Sequence, residues 1–208
     1  MISSRNRTAD GLQGVVLAAG LSSRMGFAKA LTPLGDRFFL QAVYEQLVRA
    51  GATPVHVVLN PGLLIALDRR KELFSRAVFV ENNKPARGQI HSLRLGLQSA
   101  QKAGARAALV ALVDLPAVRD ETLGLLIERA ATAPGRLLLP RYSGRRGHPI
   151  LIPALHFDRF LNAAPEETGR DVIRALMNQP GTVEQVDVPD PGILHDMDSL
   201  ADLVKDCG

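Results

Sequence analysis

Val15-Val16-Leu17-Ala18-Ala19-Gly20-Leu21-Ser22-Ser23-Arg24-Met25-Gly26-Phe27-Ala28-Lys29 opens as a strand and closes as a cationic loop. Its first residues are apolar and β-branched, the composition of a strand buried in a parallel sheet. The run ends at Gly20. Small residues and a second glycine, Gly26, follow. With so little side-chain bulk, the backbone N–H groups of such a loop are free to point at an anion. Arg24 and Lys29 add two cations within six residues, which suits a polyphosphate better than a single carboxylate. The expectation is a nucleoside-triphosphate site at the C-terminal end of the first strand.

Two familiar phosphate loops do not fit. A Walker loop needs G-x-x-x-x-G-K-[ST], but five residues stand between Gly20 and Gly26, and Lys29 is not beside Gly26. A dinucleotide fingerprint needs G-x-G-x-x-G, which Ala18, Gly20 and Ser23 do not supply.

Outward from the loop, the pattern alternates. Apolar residues at Phe38, Phe39, Ala42, Val43, Leu47 and Ala50 predict a helix over 37–50 with one buried face, closed by Gly51. Strands are predicted at 55–59, 77–80 and 107–113, the last being the most apolar run and taken as central. Helices are predicted at about 63–74 and 88–103. This alternation argues for an α/β fold, a single-domain Rossmann-like, mostly parallel sheet with helices on both faces. Ligands of such sheets sit beyond the carboxyl ends of the strands, so the loops after Ala19, Val80 and Val113 are expected to meet. Further on, the expectation is a helix at 122–131, a strand at 137–140 and a basic glycine loop at 141–147. A strand at 150–152, helices near 154–161 and 170–177, a strand at 183–188 and a terminal helix at 199–205 complete the chain.

At 208 residues the chain is long enough for one sizeable core. The expected organisation is a flexible tail over 1–13 and a single domain over 14–208. A composition 46% hydrophobic and 22% charged is that of an ordinary globular protein, and no apolar run is long enough to cross a bilayer. No signal-peptide pattern opens the chain, which makes the cytoplasm the expected location. The net charge of +4 raises nucleic acid as a partner, but aromatics are 4% and the basic residues form no block, so neither stacking platform nor basic stripe is present. A basic excess serves equally to attract phosphorylated small molecules. The single cysteine, Cys207, excludes an internal disulfide and a cysteine-built metal site.

Asp114 stands where the central strand ends, between Ala111-Leu112-Val113 and Leu115-Pro116. Mg²⁺ is typically held by one or two carboxylates, with substrate phosphates and waters completing its octahedron, which makes Asp114 the first metal candidate. The competing reading is a capping aspartate before the next helix.

The loop LAAGxSxRMGxxK resembles that of nucleotidyltransferases with a Rossmann-related domain, above all the molybdenum-cofactor nucleotidylyltransferases and their cytidylyltransferase branch. Leu17, Ala18, Ala19, Gly20, Ser22, Arg24, Met25, Gly26, Lys29 and Leu31 match, and the resemblance implies that this loop, with Ser23 in it, wraps the triphosphate. It likewise implies that Asp114 and Pro116 belong to a D-x-P metal segment. Asp196 or Asp198 in Asp196-Met197-Asp198-Ser199 would then complete the metal shell. Asn83, Gly88, Ser92 and Leu93 resemble a base-reading segment, in which Gly88 permits close backbone approach and the Ser92 hydroxyl meets the base edge. Pro140 and Gly144-Arg145-Arg146-Gly147-His148-Pro149 resemble a segment bordering the acceptor pocket, with Arg145 and Arg146 to hold a phosphate and His148 to orient it. The alternative is that Gly144 and Gly147 merely form a hairpin turn. Gly169 and Arg170 are a weaker echo of the family's late glycine–arginine pattern.

The resemblance implies Mg²⁺-dependent nucleotidyl transfer from an NTP to a phosphorylated acceptor, with release of pyrophosphate. CTP is favoured over GTP because Ala19 matches LAAG rather than LAGG. Molybdopterin, bare or molybdenum-loaded, is the implied acceptor, with delivery to molybdoenzymes downstream. The alternatives are a sugar- or polyol-phosphate nucleotidyltransferase and a non-catalytic nucleotide- or molybdopterin-binding protein.

Overall fold

The computed structural model describes residues 10–20 and 29–197. β1 (Leu12–Leu17) lies between β4 (Val55–Leu59) and β6 (Ala107–Leu112), parallel to both, with Val16 opposite Val57 and Ala111. β5 (Ala77–Glu81) adds a further parallel strand beyond β4. On the other side β9 (Ile150–Pro153) pairs antiparallel with β6 and with β7 (Leu137–Tyr142), and β10 (Val183–Asp187) runs parallel to β7. The sheet order is β10-β7-β9-β6-β1-β4-β5, which puts β6 in the middle. A short β8 (Arg145–Arg146) folds back on β7.

Strand periodicity of two divides the core between the faces. Val16, Leu109, Leu138 and Leu151 meet α1 (Phe39–Arg49), α4 (Asp120–Thr132) and the 61–74 segment on one side. Val15, Leu17, Val110, Leu139 and Ile152 meet α3 (Gln89–Lys102), α5 (Phe157–Leu161) and α6 (Gly169–Met177) on the other. Phe39, Leu47, Leu97, Phe157 and Phe160 are essentially inaccessible to solvent. Burying each side chain of this size contributes roughly 1.5–3 kcal/mol.

One close approach matters for the site. A Cβ on Gly96 would lie 2.5 Å from Val15 Cγ1, so only glycine lets α3 press onto β1. That contact brings the N-terminal turn of α3 to the end of the sheet where β1 and β6 stop.

Several expectations shift. β1 begins at Leu12, so Leu12 and Gln13, expected in the tail, are buried strand residues. Arg37 and Phe38 join a small ribbon with Pro33 and Leu34 (β3 with β2), and the helix starts at Phe39 because the turn through Gly35 and Asp36 comes first. The 63–74 helix is in fact α2 (Pro61–Ala66) followed by a 3₁₀ turn at Asp68–Phe74. The 141–147 loop is largely strand: β7 continues to Tyr142, and Ser143 and Gly144 turn with φ of 47° and 77° into β8. The sheet is therefore mixed, with β9 and the short β8 its reversed members. The predicted helix at 199–205 lies outside the described residues. Among the described residues no helix is long and apolar enough to cross a membrane.

Candidate active site

The C-terminal ends of β1 and β6 frame a cleft of about 320 Å³. Leu17, Ala18, Ala19 and Gly20 form one wall, and Asp114 and Lys29 close it from the side. Pro85, Gly88, Gln89 and Ser92 line the wall opposite. The loops expected to converge after Ala19, Val80 and Val113 do meet here. Lys29, in a 3₁₀ turn at Lys29–Leu31, places its Nζ 3.4 Å from Asp114 Oδ2. Ser22, Ser23, Arg24, Met25 and Gly26, the middle of the predicted triphosphate loop, lie outside the described residues.

The segment expected to read the base divides in two. Gly88 takes φ +81°, a conformation that side chains rarely adopt, and precedes the first turn of α3. Ser92 is buried on that helix, and its Oγ accepts a hydrogen bond from Asn82 Nδ2 at 2.9 Å. A hydroxyl that accepts from Asn82 keeps its own proton to donate into the cleft. Asn83, the expected partner, is exposed and does not line the cleft. Its neighbour Asn82 is the buried residue, and its Oδ1 also accepts from the Lys84 N–H at 2.8 Å, fixing the turn.

A second cleft of about 330 Å³ adjoins the first and shares Leu17, Gln89, Leu112 and Asp114 with it. Arg145, Arg146, Gly147 and His148 all line it, so the predicted acceptor segment is brought to one place, hairpin turn included. Arg170 and Ile173 of α6 face them. Leu93, Ile150 and Ile193 supply apolar surface, and Asp196 lines the same cleft as Asp114. His148 is half-buried. Its Nδ1 is shut off from solvent and has no hydrogen-bond partner among the described residues. Burial pushes its pKa down to about 4, against the opposing pull of the Val110 carbonyl and the Asp114 carboxylate. The ring is neutral at neutral pH, so His148 can orient a substrate but adds no positive charge.

Asp114 does not cap α4. That task falls to Asp190, whose Oδ2 accepts from the Arg119 N–H at 2.9 Å and from Thr122 Oγ1 at 2.7 Å. The Asp114 loop is instead clasped by Gln46, whose Nε2 donates to the carbonyls of Pro116 and Val118. The late acidic segment does return beside the central strand, since the Met197 N–H donates to the Asp114 carbonyl at 2.9 Å. Asp198 lies outside the described residues. Among the described residues no three His, Cys, Asp or Glu side chains converge as a ready-made metal cage. Two carboxylates on the wall of one cleft are nevertheless the hard-oxygen donor set that suits Mg²⁺ or Mn²⁺ when phosphates and waters supply the rest.

A nucleotide-sized pocket at the strand ends, sharing an aspartate with a basic second pocket, is the arrangement of a nucleotidyltransferase. The chain belongs to the MobA-like NTP transferase domain family, whose model matches residues 14–182. It is 29% identical over 203 residues to a probable molybdenum cofactor guanylyltransferase of Mycolicibacterium paratuberculosis, covering 94% of this chain and 95% of the relative. The crystal structure of Rv0371c from Mycobacterium tuberculosis superposes with a TM-score of 0.74 at 26% identity, over 93% of this chain and 96% of that one. A further structure of Rv0371c, in complex with manganese, gives a TM-score of 0.67 at 22% identity, over 94% and 96% of the two chains.

Proposed function

We propose that the protein transfers a nucleoside monophosphate from CTP to the phosphate of molybdopterin or its molybdenum-loaded form, in the cytoplasm, ahead of delivery to molybdoenzymes. A phosphate oxygen of the acceptor forms the new bond to the α-phosphorus. The bond from that phosphorus to the bridging oxygen breaks, and its electron pair leaves with pyrophosphate. Such transfers need positioning and charge neutralisation more than covalent chemistry by the protein.

In this reading the backbone from Gly20 to Gly26, with Arg24 and Lys29, holds the departing pyrophosphate. Gly88 and Ser92 take the base. Arg145 and Arg146 grip the acceptor phosphate while neutral His148 fixes its angle. Asp114, with Asp196 or Asp198, would hold Mg²⁺, which supplies charge neutralisation on the phosphates when bound. Manganese in the Rv0371c structure supports a divalent ion in this role. The observation that carries the proposal is Asp114 in the shared wall of the two clefts, since nucleotidyl transfer requires donor and acceptor phosphates to meet at one point.

Ala19 supports CTP through the LAAG form of the first loop: a buried alanine that lines the cleft stands where a glycine would leave more room. GTP is the second reading, favoured by the guanylyltransferase names of the relatives. Mg²⁺-dependent pyrophosphate release, measured with each NTP against molybdopterin and a panel of sugar and polyol phosphates, tests all of this. Fastest release with CTP and molybdopterin is expected. Faster release with GTP overturns the base assignment, and a preferred sugar phosphate overturns the acceptor. No release with any pair would leave only a binding protein.

A further inference from the structure

Residues 190–197 form a strap threaded between two functional loops. At its start Asp190 is 1% exposed, and its carboxylate meets three donors: Arg119 N–H, Thr122 Oγ1 and, through Oδ1, Gly192 N–H at 2.9 Å. The Arg119 guanidinium stands 3.9 Å away. Gly192 is pressed on the Ala117 carbonyl so closely that a Cβ would lie 2.5 Å from the oxygen. Midway, the Ile193 carbonyl accepts from the His148 N–H at 3.1 Å, and a Cβ on Gly147 would overlap that same carbonyl. At the end the Met197 N–H is bonded to the Asp114 carbonyl. Asp196 sits just before this last anchor and lines the cleft that Asp114 also lines.

We infer that Asp190 is a positioning residue: by locking the strap to α4 and to the Asp114 loop, it sets where Asp196 stands relative to Asp114. A carboxylate that satisfies three donors from two chain segments fixes the strap's path far better than a neutral amide can, because an amide keeps only one accepting oxygen. Groups bonded directly to a metal ligand typically change metal affinity by roughly 10–100-fold when removed, which sets the upper bound for a residue acting through the strap. The inference rests on the reading of Asp114 and Asp196 as the metal-holding pair.

The test is Mn²⁺ alone, titrated into the full chain at a temperature where every variant is folded, with free aqueous Mn²⁺ read by electron paramagnetic resonance. Asp196→Asn should weaken Mn²⁺ binding by roughly 10–100-fold, and Asp190→Asn should weaken it measurably by up to that amount. The double variant should bind no more weakly than Asp196→Asn alone, since Asp190 acts through Asp196. A merely structural role for Asp190 would lower the melting temperature and leave the affinity of the folded protein unmoved. That result, beside a weakened Asp196→Asn, overturns the inference while sparing the metal site. Unchanged binding by Asp196→Asn, or no measurable binding by the parent chain, overturns the carboxylate-pair reading and the inference with it. Should Asp190→Asn fail to fold, Thr122→Val removes one of the three donors and keeps the carboxylate. It should weaken Mn²⁺ binding in the same direction, and unaltered affinity overturns the inference.

Discussion

Lys29→Ala is the sharpest test of the nucleotide cleft. The side chain is 15% exposed, and its ammonium stands 3.4 Å from Asp114, so it operates neither in bulk water nor in a dry interior. At an effective dielectric of about 20, a unit charge some 4 Å from a phosphate oxygen is worth about 4 kcal/mol. Removing a preorganised donor from a site where charge develops costs about 3–4 kcal/mol, which corresponds to roughly two to three decades in turnover. The fold should survive, because Lys29 lies in a short 3₁₀ turn at the cleft and none of the core side chains depends on it. The assay is pyrophosphate release at saturating NTP, acceptor and Mg²⁺, alongside a melting curve. Lys29→Arg restores the charge with a longer, planar group and should recover part of the rate. Near-wild-type turnover by Lys29→Ala would refute the assignment. A rate loss matched by collapse of the melting temperature would move Lys29 from the chemistry to the fold.

Ala19→Gly deletes a methyl from the cleft wall and should shift the ratio of kcat/KM toward GTP by up to about tenfold; an unmoved ratio removes Ala19 from base selection. Arg145→Ala with Arg146→Ala should raise the acceptor KM by tenfold or more and leave the KM for NTP within about twofold, each charged hydrogen bond being worth ~1.5–3 kcal/mol; equal effects on both substrates would contradict two separate clefts. Stability should fall in mild acid through His56, which is fully buried and held near pKa 4 by desolvation. Its folded pKa lies below the unfolded value of 6.5, so the unfolded chain binds the extra proton, and stability present above that value is lost as pH falls toward 4. Between about pH 7 and pH 5 this amounts to about 2 kcal/mol. Urea unfolding of the parent and of His56→Gln should differ in pH slope by that amount, and parallel slopes would exclude His56 as the cause.

The loop and the central carboxylate were legible because each rests on local pattern: a dense run of small residues with two cations, and an apolar strand ending abruptly in Asp114. Four features were not. The run Ile150-Leu151-Ile152 predicts a strand, but alternation carries no direction, and only pairing with β6 and β7 reveals that β9 is reversed. Asn82 and Asn83 differ by one position, and a one-residue step in an extended segment exchanges inside for outside. Asp190 sits among prolines and a glycine and reads as a turn residue, while its partners Arg119 and Thr122 are 71 and 68 residues away. The set of buried Gln13 and His56 with half-buried Ser99 is non-local in the same way. Gln13 Nε2 donates to the Ala103 carbonyl, which leaves its Oε1 to accept from His56 Nε2–H, while His56 Nδ1 accepts from the Ser99 hydroxyl.

The reversal at β9 gives the two clefts their relation. Strands β5, β4, β1 and β6 all end on one edge, so their following loops gather around a nucleotide-sized space, as parallel α/β sheets require. Had β9 run parallel, its start would lie at the far edge and its preceding loop with it. Because it runs against β6, the Gly147–His148 turn that enters it arrives at the same edge where β6 delivers Asp114. Hairpin β7–β8 brings Arg145 and Arg146 along. The inversion of β9 thereby sets the basic cleft proposed for the acceptor flush against the cleft proposed for the nucleotide, with one aspartate lining both. Substitutions that weaken the β6–β9 pairing at Val110 and Ile150 should accordingly impair acceptor binding before they impair nucleotide binding. Paired calorimetric titrations with NTP and acceptor would read that order, and simultaneous loss of both would show that the two clefts do not depend on the sheet in this way.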